Sequence, residues 1–82
     1  MAHMPMDDVQ QLWGQMGAKR SWSSLRNALE SRQGRAEGIN NNLIQPLVQD
    51  AQQMERQNRP FPNNAQQLYN ELNRNLERMK VK

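Results

Sequence analysis

Gly34-Arg35-Ala36-Glu37-Gly38-Ile39-Asn40-Asn41-Asn42-Leu43-Ile44-Gln45-Pro46 is the stretch on which the fold turns. Through it and on both sides, apolar residues keep one helical phase: Trp22, Leu25, Leu29, Ala36, Ile39, Leu43, Leu47, Ala51 and Met54 follow at steps of three, four and once seven. Such spacing puts them on one side of a 3.6-residue helix. The stretch itself opposes a helix. Two glycines and three consecutive asparagines have poor helix propensity, and an interior proline removes a hydrogen bond at a cost of about 3 kcal/mol. Two outcomes follow. One helix of about 35 residues runs through with a kink near Pro46, or the chain breaks around 38–42 and restarts with Pro46 in the first turn of a new helix. The retained phase favours continuity, so the expectation is a long central helix, kinked or broken near 38–46.

On the C-terminal side, Arg59-Pro60-Phe61-Pro62-Asn63-Asn64 stops that helix with two prolines and offers paired asparagines to cap the next. Asn63 with Gln66, or Asn64 with Gln67, has capping-box spacing, and Phe61 can serve as the apolar staple. Ala65, Leu68, Tyr69, Leu72, Leu76 and Met79 then line one face, with Arg78, Lys80 and Lys82 suiting the negative helix end. These two helices are expected to form an antiparallel hairpin, Leu43, Leu47, Ala51 and Met54 facing Leu68, Leu72, Leu76 and Met79. A central helix of about 50 Å against a final one of about 25 Å would leave half of its seam uncovered.

On the N-terminal side, Asp7 and Asp8 suit the start of a short helix carrying Val9, Leu12, Trp13 and Met16, which Gly17 ends. Ser21, Ser23 or Ser24 can cap the helix that follows. Met1-Ala2-His3-Met4 resembles a cloning-site remnant, so residues 1–5 are set aside as a disordered start and 6–82 are read as one small all-α domain.

Composition narrows the function. With no cysteine and only His3, the chain offers no thiolate metal site, no disulfide framework and no base for a serine nucleophile. Its acids fall singly or near arginines, and Arg26/Glu30, Glu55/Arg59, Glu71/Arg74 and Arg74/Glu77 have the spacing of solvated helical ion pairs. An enzyme is not expected, nor a cofactor or a metal. No apolar run is long enough to span a membrane, and a soluble cytoplasmic protein is the default reading. Ten asparagines and eleven glutamines leave much of the surface polar and uncharged.

The expected function is therefore non-enzymatic protein–protein interaction or assembly. The uncovered seam would be presented, through Trp13, Trp22, Leu25 and Leu29, to a second copy in a homo-oligomer or to a larger protein partner. The alternative is nucleic acid: Lys19, Arg20, Arg26, Arg32 and Arg35 against Glu30 make a local basic patch beside Trp22, although the net charge is only +3.

Overall fold

The computed structural model describes residues 3–32 and 41–79. Four helices make up these residues: α1 (Met6–Met16), α2 (Trp22–Ser31), α3 (Asn41–Arg56) and α4 (Ala65–Met79). Each packs on two others in a ring, α1 on α2 and α4, and α3 on α2 and α4, with α2 against α3 the closest pairing. No strand occurs among the described residues, and no helix there is long and apolar enough to cross a membrane.

The long central helix is replaced by two. α2 stops at Ser31, α3 starts at Asn41, and the two lie side by side, which a continuous helix over 22–54 cannot do. The dimensions agree: the molecule extends 27 Å along its longest axis, about half of what 35 helical residues require. Gly34, Arg35, Ala36, Glu37, Gly38, Ile39 and Asn40, on which the choice turned, lie outside the described residues, as do Lys80 and Lys82. Pro46 is the sixth residue of α3, just past the first turn where a proline gives up nothing.

Each end has a local cause. Ser21 caps α2, its Oγ accepting the Ser24 N–H at 3.1 Å. α1 has no side-chain cap: Pro5 precedes it, and Asp7 and Asp8 sit in the first turn, where their charge favours the helix dipole. Gly17 ends α1 at φ 69°, a conformation that a side chain would strain. α3 ends in a Schellman motif. Asn58 adopts φ 54°, the Arg59 N–H donates to the Met54 carbonyl at 3.0 Å, and the Asn58 N–H donates to that of Glu55 at 3.1 Å. α4 opens on the Asn64/Gln67 pair. Asn64 Oδ1 accepts the Gln67 N–H at 2.8 Å, and Gln67 Oε1 reaches back one residue further than a capping box requires, to the Asn63 N–H at 3.0 Å.

One core fills the ring. Leu12, Leu25, Leu29, Leu47, Leu68, Leu72 and Leu76 are wholly or almost wholly buried in it. α3 buries two adjacent stripes, Leu43, Leu47, Ala51 and Met54 together with Ile44 and Val48, because it must face α2 and α4 at once. The expected hairpin register is not found. An antiparallel register would set Met79 opposite Leu43, about 20 Å from Gln57. Instead Gln57 and Met79 line one cavity, and Met79 is the only large apolar side chain that is exposed among the described residues. The uncovered seam is accordingly absent there. The start of the chain also contributes: Met4 is fully buried, its N–H donating to Asn73 Oδ1 at 2.7 Å and its carbonyl accepting from Asn73 Nδ2 at 3.1 Å, while His3 bonds the Tyr69 hydroxyl at 2.8 Å.

Candidate functional site

The turn between α3 and α4 is held by contacts from both α1 and α2. The αL conformation of Asn58 aims the backbone away from α3, and Pro60 and Pro62 restrict φ on either side of Phe61. Trp22, at the first position of α2, donates its indole N–H to the Arg59 carbonyl at 2.9 Å. Phe61 then wedges between two tryptophans, edge-on to Trp22 with centroids 4.9 Å apart and stacked on Trp13 at 6.0 Å. The Arg20 guanidinium covers Trp13, 4.4 Å from the ring centroid, and Arg20 Nε donates to the Trp13 carbonyl at 3.0 Å. α1, α2 and the turn are thereby tied into one aromatic layer.

Beside this layer runs an open groove of about 640 Å³. Pro60, Phe61 and Pro62 form its apolar part, Asn63, Gln67 and Asn70 its amides, and Arg59, Glu71 and Arg74 its charges. Arg59 and Arg74 have no ion pair, and their guanidinium groups no hydrogen bond, among the described residues. The helical pairs expected for them, Glu55/Arg59, Glu71/Arg74 and Arg74/Glu77, do not close; of the four foreseen only Arg26–Glu30 forms, at 3.9 Å.

The residues singled out for partner binding lie elsewhere. Leu25 and Leu29 are fully buried, Trp22 is nearly so, and Trp13 is half-buried under Arg20. The basic patch is largely occupied. Arg26 pairs with Glu30 and with Glu55, each at 3.9 Å. Arg32 donates to Gln15 Oε1 at 2.9 Å and Gln11 Oε1 at 3.0 Å, tying α2 to α1. Arg20 is held on Trp13, Lys19 is exposed, and Arg35 lies outside the described residues. Arg59, Asn70 and Arg74 were not foreseen as a group. Nothing in the sequence sets them apart from other polar helix-surface residues, because their proximity depends on how the turn crosses α4.

A second cluster is buried between α3 and α4. Asp50 and Asn75 are the two polar side chains of the core among the described residues; Asn75 Nδ2 donates to Asp50 Oδ2, and Arg78 Nη2 donates to Asn75 Oδ1 at 2.9 Å. Burial pushes the Asp50 carboxyl above the ordinary carboxylate value. The Asn75 hydrogen bond, Arg78 and Arg59 oppose the rise, and Glu71 adds to it. A perturbed carboxyl can mark a catalytic group. Here the carboxylate is already bonded to Asn75, and no group of three or more metal-ligating side chains occurs among the described residues. A carboxyl whose pKa rises on folding favours the folded state most in acid, and that contribution disappears as pH climbs through the raised value. Asp50→Asn keeps an acceptor for Asn75 without a buried charge. It is expected to exceed the unmodified protein's stability at about pH 7, with the difference narrowing toward about pH 4. Urea unfolding across that range checks this; a difference constant with pH would contradict it.

Comparison with protein-family models, curated proteins and solved structures gives no match, so function rests on the chain's own surface.

Proposed function

We propose that this chain is a non-catalytic helical protein that works by binding a larger protein partner. The observation that carries the reading is the turn at 59–63, fixed by Trp13, Trp22 and the Asn63–Gln67 hydrogen bond beside a groove with two arginines that form no ion pair among the described residues. A surface held in one shape before contact loses little conformational entropy on binding, which favours recognition. A different protein is a better partner than a second copy, because the seam that would have held a copy is, among the described residues, filled by the chain's own core. Trp13 and Trp22 then act from beneath the surface, as supports of the turn. The nucleic-acid alternative draws less support, since Arg20, Arg26 and Arg32 already have internal partners.

Photocrosslinking tests this reading. A photoreactive side chain at position 70, in the groove, and another at exposed position 10 on α1 are compared in an extract of the source cells. The expected result is a discrete protein adduct from position 70 alone, and the same protein, once purified, forms a defined complex with the unmodified chain in solution. Adducts to nucleic acid only, or none from either position, would overturn it.

A further inference from the structure

We propose that the groove along Arg59, Phe61, Gln67, Asn70 and Arg74 receives an extended acidic peptide segment of the partner; this rests on the reading above and names the chemistry of its ligand. The first reason is the hydrogen-bonding capacity left in the groove. Gln67 Oε1 already accepts from the Asn63 N–H, and Asn70 Oδ1 accepts from Gln66 Nε2 at 3.3 Å. The N–H donors of these amides are unused, and the Arg59 and Arg74 guanidinium groups add more, so donors outnumber the acceptors left in the groove, chiefly Asn63 Oδ1 and the Glu71 carboxylate. A ligand rich in acceptors complements this set, and peptide carbonyls with acidic side chains are such a ligand.

Charge and shape favour a peptide over a phosphodiester chain. Two arginines outweigh Glu71, giving a modest positive field that suits one or two carboxylates, whereas nucleic-acid binders neutralise several phosphates. Pro60, Phe61 and Pro62 supply an apolar surface for side chains interspersed with the acids. No aromatic face is offered to a base, since Phe61 is wedged between Trp13 and Trp22 and Arg20 covers Trp13. A volume of about 640 Å³ lies within the ~300–1,000 Å³ of ordinary ligand sites.

The test is an NMR titration of the full isotope-labelled chain with three probes: a blocked hexapeptide of alternating glutamate and leucine, its lysine-and-leucine counterpart, and a short oligothymidylate. The expected result is saturable movement of the Asn63, Gln67 and Asn70 side-chain amide signals with the acidic peptide alone, weakening as salt is added. R59E/R74E should weaken binding at least about tenfold, and R74E alone should weaken it measurably. R56E, exposed and outside the groove, should leave it unchanged. All three side chains are on the surface, so unchanged circular dichroism is expected to confirm folding. No saturable shift at millimolar peptide, equal binding of the lysine peptide, or saturation of the same amides by oligothymidylate would overturn the inference. If the peptide fails while position 70 still crosslinks a protein that binds in solution, the acidic ligand is wrong and the partner-binding reading stands.

Discussion

Trp22→Ala is expected to destabilise the protein by about 3–5 kcal/mol, the largest loss for any single side chain here. Trp22 is 5% exposed, stands in the core between α2 and the turn, packs edge-on against Phe61 and holds the Arg59 carbonyl. A chain of this length has a total stability of roughly 4–12 kcal/mol, so the variant would be largely unfolded on warming. Trp22→Phe separates the two contributions. It keeps most of the apolar area, loses the indole donor, and should cost only about 0.5–1.5 kcal/mol beyond packing changes, since water can reach the exposed Arg59 in its place. Urea unfolding followed by circular dichroism measures both. A Trp22→Ala loss below about 1 kcal/mol would mean that the indole is not in the core.

Leu25→Ala should cost about 2–5 kcal/mol, because Leu25 is fully buried where α2 meets the shared core and its removal leaves a cavity. The same truncation at Met79, on the exposed end of the face expected to be a seam, should change stability by no more than about 0.5 kcal/mol. The contrast separates two roles for Leu25. As a core residue it alters the unfolding midpoint at every protein concentration; as an exposed anchor it would leave the midpoint of the free chain nearly untouched and weaken only association.

Much of the fold was legible because local chemistry decided it. The serines at 21, 23 and 24, of which Ser21 caps α2, the two candidate capping pairs at the head of α4, of which Asn64 with Gln67 forms, and the prolines between α3 and α4 each act within a few residues, and helix boundaries fall near these signals. The break between α2 and α3 was misweighted for a different reason. Both helices present one face to the same core, so apolar residues recur every three or four positions in each, and a continuous phase across 32–41 carries no information about continuity.

The register of α4 was beyond periodicity. The pattern shows which face of α4 is apolar, but whether that face runs alongside α3 or crosses it depends on side-chain packing at positions such as Asp50 and Asn75. The second stripe of α3, Ile44 and Val48, was passed over because a seam one residue wide suffices for a hairpin but not for a helix facing two neighbours. The groove was illegible for the same reason: apart from the local Asn63–Gln67 bond, residues 59–63 and 67–74 meet through tertiary packing. Phe61 was read as a staple for α4, yet its main contacts are Trp13 and Trp22, far away in sequence.

Closure of the core by the chain's own helices is what separates a partner-binding monomer from an assembly subunit. Light scattering coupled to size exclusion, across a wide range of protein concentration and at two salt levels, measures this most directly. The expected result is a single species of 9.6 kDa at every concentration and either salt level. A stable dimer or larger species that persists on dilution and ignores salt would contradict it, and would mean that apolar surface assigned here to the interior is shared between copies.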